Sequence, residues 1–215
     1  MPWNEDINRI RQALAGPPPS HDELLILRRL DGTPLRPFTP PPDVTPRRSA
    51  ALLLLFPHDN DLYIPLTVRS SRVTTHRGEV SLPGGGIDPD DNGAVGAALR
   101  EAHEEIGVDP TDIEVLGALT TFYIPPSNNY LTPIVGFHTA GFVPNHDPEE
   151  VELVFTIPLS SLFNPATIRE EIWERNGIPM RVPFFALNGY KVWGATALLL
   201  SEFVARLRRI GWEEH

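Results

Sequence analysis

The longest unbroken apolar run in this chain is "AALLLLF", residues 50–56. It has the length of a strand and falls far short of the roughly 18 residues a membrane-crossing helix needs. The core is expected to start at Ser49 with this run as a strand, and strands and helices interleave around one core. Residues 4–14 place Ile7, Ile10 and Leu14 at helical spacing. Residues 22–30, "DELLILRRL", read as a second short helix. The proline-rich stretch 31–48 reads as an extended surface connection. Strands are expected over 49–56 and 62–70 across the turn "PHDND", then over 113–124 and 129–140 around "PPSN". Residues 150–162 read as a strand and a short helix, and 190–212 as one long C-terminal helix. The pattern predicts an α/β or α+β class: residues 49–215 as one domain, with residues 1–48 packed on it as a helix and an extended segment.

Composition narrows the function. The formal net charge is −10, the wrong sign for a general nucleic-acid binder. There is no cysteine, which excludes disulfides, thiolate metal sites and cysteine nucleophiles. The polar, acidic start does not look like a secretory signal, and a cytoplasmic setting is expected. An acidic enzyme acting on anionic substrates needs cations near its site, and a bound divalent metal would supply them.

Residues 81–108, "SLPGGGIDPDDNGAVGAALREAHEEIGV", concentrate the chemistry. A helix is expected over 94–107, stopped by Gly107. At 100° per residue Glu101, Glu104 and Glu105 share an arc of ~100° beside an apolar stripe. Ala94 and Ala97 fall on that acidic arc and are expected to leave room above it for a ligand. In isolation such a cluster reads as a solvated face, and the Glu101–Glu105 pair costs a few tenths of a kcal/mol. A Mg²⁺ or Mn²⁺ ion would reverse that sign. The glycines just upstream suit a tight loop whose backbone N–H groups approach a phosphate.

These residues resemble the Nudix box, G-x5-E-x7-R-E-U-x-E-E-x-G-U with U aliphatic. Arg100 to Val108 match its second half, with Ala102 at the first U. The first half departs, because Asn92 stands where a glutamate belongs. With Gly84 and Gly85 as the opening pair, Asp91 takes the acidic position, a form similar to the coenzyme A pyrophosphatase branch. Residues 66–85, "LTVRSSRVTTHRGEVSLPGG", resemble that branch's second signature through Arg69, His76, Gly78, Pro83, Gly84 and Gly85. The resemblance runs from about Ser49 to Leu207.

It implies a Nudix fold, a mixed sheet sandwiched between helices, and metal-dependent attack of water on a pyrophosphate. For the branch it implies coenzyme A or acyl-coenzyme A cut to 3′-phosphoadenosine 5′-phosphate and 4′-phosphopantetheine. The prolines of "FYIPPSN" leave ADP-ribose or another nucleoside diphosphate as the alternative substrate. A non-catalytic nucleotide-binding module is the alternative of another class. Glu101 and Glu105 are the first metal ligands, with Glu104 sharing the ion or acting as base. Arg100 is expected to hold a carboxylate or the glycine loop, and Asp91 to fix that loop. Glu150 is a candidate base from outside the box. Arg69 and His76 are candidates for phosphate or adenine, and Gly84 and Gly85 for the phosphate. A homodimer is expected from the family only.

Overall fold

The computed structural model describes residues 3–35, 37–70, 79–146 and 148–212. Its helices are α1 (Asn4–Ala15), α2 (Gly93–Ile106) and α3 (Gly194–Arg208). Its strands in chain order are β1 (Arg47–His58), β2 (Asp61–Arg69), β3 (Val80–Ser81), β4 (Gly84–Gly86), β5 (Ile113–Ala118) and β6 (Phe122–Ile124). There follow β7 (Asn129–His138), β8 (Val151–Pro158), β9 (Ile168–Arg175), β10 (Ile178–Leu187) and β11 (Tyr190–Trp193).

The layers follow from β1. Its residues from Ala50 to Phe56 are all buried, so the strand has no solvent face. Such a strand must be covered on both sides. Ala50, Leu52 and Leu54 pack with Ala97, Ala98, Ala102 and Ile106 of α2. Ala51, Leu53 and Leu55 join Ile7 and Ile10 of α1 and Phe203, Val204 and Leu207 of α3. The main sheet is mixed, ordered β3-β2-β1-β7-β5, with β4 also beside β1, β6 beside β7 and β8 beside β2. The pairing of β1 with β7 is parallel, and the other pairings are antiparallel. A second sheet, β11-β10-β9, sends Phe185, Leu187 and Val192 into the core that holds α3. The sequence expectation of a mixed sheet between helices holds. Among the described residues no helix is long and apolar enough to cross a membrane.

Three local expectations fail, each because a turn or a tertiary bond overrides the pattern. Residues 22–30 are not a helix. A capping box between Ser20 and Glu23 closes a single 3-10 turn at His21–Glu23, after which Arg28 exchanges backbone hydrogen bonds with Arg181 of β10. The long C-terminal helix begins at Gly194 and not at Tyr190. Asn188 and Gly189, both at positive φ, turn the chain back so that Tyr190–Trp193 pairs with β10. Residues 113–124 form two strands, β5 and β6, and not one. The hairpin β9–β10 had no counterpart in the expectations. Its signal was Asn176-Gly177, with φ of 53° and 74°, a dipeptide suited to a two-residue primed turn.

The N-terminal helix is tied down by a buried charge pair. Arg206 and Glu202 of α3 bond at 2.9 Å with side chains 5% and 3% exposed. Arg206 also donates to the carbonyls of Leu14 and Gly16 at the end of α1, while Glu202 accepts from the backbone and hydroxyl of Thr120. Removing one member leaves the other charge buried without a partner. Arg206→Ala should therefore cost about 3–5 kcal/mol in denaturant unfolding and expose α1 to limited proteolysis. The double variant Glu202→Met, Arg206→Met should recover only the part of the loss due to the unpaired charge, because the Leu14 and Gly16 carbonyls and the Thr120 N–H remain without these partners.

Candidate active site

The glycine strand lies between β1 and the acidic helix, and the close approach to β1 requires glycine at Gly84. A Cβ there would run into the backbone of Ala50 and Ala51, whereas one at Gly85 would push aside the carboxylate end of Glu101. The backbone N–H of Gly84 donates to the Glu105 carboxylate. The three glycines are therefore not a free loop: they form β4, paired antiparallel with Ser49–Ala51 of β1. The Gly84 N–H, expected to face a phosphate, faces Glu105 instead. The helix ends at Gly107 in the left-handed region (φ 74°), whose N–H caps the His103 carbonyl. His103 lies away from the cluster and contacts the Val108 carbonyl through Nδ1 at 3.0 Å.

Arg100 is the hub. It donates to Asp91 through Nε and Nη2 at 3.0 and 2.9 Å, to Glu101 at 2.8 Å, to Glu104 at 3.3 Å and to the Gly86 carbonyl at 3.0 Å. Asp91 also accepts from the Asp88 N–H at 2.8 Å. These bonds, Arg100 first, hold the Asp91 carboxyl below its ordinary range. Asn92, the residue that breaks the Nudix spacing, is the N-cap of α2 and makes no side-chain cap bond. The carboxylate that its position lacks is supplied by its neighbour Asp91.

The three glutamates differ in setting. Glu105 is buried (8% exposed), and desolvation followed by the charge of Glu101 pushes its carboxyl up to about 8. Arg69 and the Gly84 N–H oppose that shift. Glu101 is also raised, by burial first, against its bond to Arg100. The side chain of Glu104 is 53% exposed. Glu150 adds negative charge to both Glu101 and Glu105, and its carbonyl accepts from the Ser70 N–H at 3.0 Å where β2 meets β8. The fold thus brings Glu101, Glu104, Glu105, Glu150, Arg69, Gly84 and Gly85 to one place from four separate segments. His76 lies outside the described residues.

Two expectations change here. Ala97 does not open room for a ligand: it is fully buried against the sheet. The three glutamates do not converge on one point either. Among the described residues no three acidic or histidine side chains are arranged to ligate an ion together, and Glu101 and Glu104 both bond Arg100. What fits a divalent ion is the Glu101–Glu105 pair, two carboxylates whose protons are held up by burial first, with the charge of Glu101 adding to Glu105 and those of Glu104 and Glu150 adding to Glu101. Mg²⁺ typically takes one or two carboxylates and fills its remaining positions with water and phosphate oxygens.

Beside this cluster opens a cavity of about 650 Å³. Gly84, Gly85 and Gly86 line it, with Arg47, Arg48, Arg69, Ser127, Asn129 and Thr196 around them. Arg47 and Arg48 carried no local signal in the sequence. They reach the site because β1 starts there and pairs in parallel with Asn129 and Tyr130 of β7. The Asn129 Oδ1 is buried without a hydrogen-bond partner.

The NUDIX domain family model matches residues 45–176. The chain belongs to that family. Nudix hydrolase 15, mitochondrial, of Arabidopsis thaliana is 38% identical over 176 residues, which span 77% of this chain and 61% of that protein. An uncharacterized Nudix hydrolase, NudL of Enterobacter sp. (strain 638), is 34% identical over 77% of this chain and 85% of its own length. Among solved structures, the MutT protein from Methanosarcina mazei Go1 superimposes with a TM-score of 0.48 at 17% identity, covering 77% of this chain and 94% of that one. The reading of the chain as a Nudix hydrolase stands with its family.

The raised Glu105 carboxyl makes a prediction about the metal-free protein. Its folded value, about 8, lies above its ordinary 4.5, so between these the folded state holds the proton more tightly than the unfolded one. Stability should therefore fall as pH rises from 4.5 to 8. Thermal unfolding in EDTA across that window should show the slope, and Glu105→Gln should flatten it. Millimolar Mg²⁺ should restore stability at pH 8.

Proposed function

We propose that this Nudix hydrolase cleaves the diphosphate of a nucleoside diphosphate linked to a second moiety, with coenzyme A or an acyl-coenzyme A as substrate. The observation that carries the reading is the juxtaposition of the raised Glu101–Glu105 pair with an arginine-bearing cavity across the β4 glycines. Hydrolysis of a phosphoanhydride requires charge neutralisation on the phosphoryl oxygens, a placed water and a proton acceptor. Arg69, Arg47 and Arg48 line the cavity as donors suited to phosphate oxygens. Three such cations exceed the needs of one diphosphate and suit a substrate with a further phosphate.

Glu101 and Glu105 would hold a Mg²⁺ or Mn²⁺ ion, which when bound supplies Lewis acidity to the phosphoryl oxygens and lowers the pKa of a coordinated water. Arg100 acts by position: it fixes Asp91, the β4 backbone and the orientation of Glu101. We assign the proton acceptor for the water to Glu104, which is exposed, or to Glu150, whose charge acts on both Glu101 and Glu105. The branch signature around Arg69 supports the coenzyme A assignment.

Incubation with coenzyme A, ADP-ribose, NADH and dinucleoside polyphosphates, with Mg²⁺ and with Mn²⁺, tests the reading. Coenzyme A should give 3′-phosphoadenosine 5′-phosphate. Rapid turnover of another compound with coenzyme A intact would refute the substrate. Glu105→Gln should lose turnover in a well-folded protein, and full activity in it would overturn the metal assignment. Gly85→Ala should displace Glu101 and cost roughly a hundredfold in kcat, the scale of a 1 Å error in placement, with an unchanged circular dichroism spectrum.

A further inference from the structure

A second, smaller cavity of about 90 Å³ adjoins the arginine-lined one, and Ile124 and Ala195 line both. Its character is the opposite. No charged residue lines it, and the walls include Ile26, Leu27, Pro37, Phe38, Phe122 and Leu198. Its one hydroxyl, that of Tyr123, is directed to Asn128 Oδ1 at 3.1 Å. One whole wall comes from the segment before β1, ahead of residue 45, where the family match begins.

That wall is held in place. The Leu25 N–H donates to Ser201 Oγ of α3 at 3.0 Å. Arg28 exchanges backbone bonds with Arg181 at 3.1 and 2.9 Å. The Leu35 N–H returns to the Leu27 carbonyl at 2.9 Å. The Phe38 ring stacks on His21 with centroids 3.7 Å apart. The segment is anchored at four points while its apolar side chains face a space that the sheet and α3 leave open.

We propose, resting on the diphosphate reading of the larger cavity, that this lobe receives the apolar end of the substrate's non-nucleotide arm. Leu27, Pro37, Phe38 and Leu198 then decide which arms are accepted. The substrate class is a nucleoside diphosphate whose second arm ends in a short alkyl or acyl group. Continuity with the larger cavity singles out this occupant, since one molecule can span both across Ile124 and Ala195. The lining excludes a charged terminus, because an ionised group placed there would lose its hydration without gaining a partner. Each methylene transferred from water into the lobe is worth about fourfold in binding.

The test is a series of adenosine diphosphate esters of linear alcohols, ethyl to octyl, with a matched ω-carboxylate at each length. For the full-length protein, kcat/KM should rise roughly fourfold per methylene once the arm reaches the lobe, then level off. The ω-carboxylates should lose that gain. Leu198→Phe fills the lobe and should shift the optimum to shorter arms. Phe38→Ala opens it and should shift the optimum to longer ones. The two changes have opposite signs, so misfolding of one variant leaves the other decisive, and melting temperatures report folding in both. A flat series, or an optimum unmoved by a folded variant, overturns the lobe assignment while hydrolysis itself stands. Failure of the parent protein to cleave any ester, or any compound of the substrate panel, overturns the diphosphate reading as well.

Discussion

The site depends on one guanidinium. Arg100 binds the Asp91 turn, the Gly86 carbonyl and two of the three glutamates at once. Without it, the turn before α2, the glycine strand and the acidic face would have no common anchor. Its planar fork suits this work, since it presents five donors in a fixed geometry. The carboxylates around it raise its own pKa, so it stays charged throughout the working range. Asp91 is the partner that makes this possible, with a side chain only 7% exposed. A glutamate at Asn92 would reach from a different point on the turn, so the Asp91 spacing and the geometry of the Arg100 clamp belong together.

Glu105 shows what the clamp is built around. A carboxylate buried beside a second carboxylate is unfavourable in the folded protein alone, and the Gly84 N–H and Arg69 relieve it only in part. A cation at the same place turns that repulsion into attraction. The fold keeps an electrostatic debt in its core next to a cavity whose other walls carry arginine. The glycines of β4 border that cavity, and Gly84 and Gly85 also touch Glu105 and Glu101.

The legible part of the protein was the part carried by local pattern. The helical period of α2, its acidic arc, the Gly107 stop and the strand character of residues 50–56 all read directly from residue spacing. The illegible part followed from partners distant in sequence. Residues 22–30 have the composition of a helix, yet Arg28 is claimed by Arg181. Ala97 sits on the acidic arc by angle, yet α2 lies against β1 closely enough to bury it completely. The Asn176-Gly177 and Asn188-Gly189 turns were readable in principle, and they account for the small sheet and for the late start of α3.

By itself, the sequence determined the chemistry on offer: three glutamates on one helix, glycines able to approach them, an arginine at the right step, and no thiol. Spacing along a helix and the absence of a Cβ are local properties, so they survive any packing of the chain. The tertiary structure alone decided which groups meet that chemistry. Glu150 arrives through the pairing of β2 with β8, Arg47 and Arg48 through the register of β1 on β7, and the apolar lobe through the anchoring of the N-terminal segment. Those meetings depend on strand order and on which faces of β1 are covered, and no local pattern encodes either.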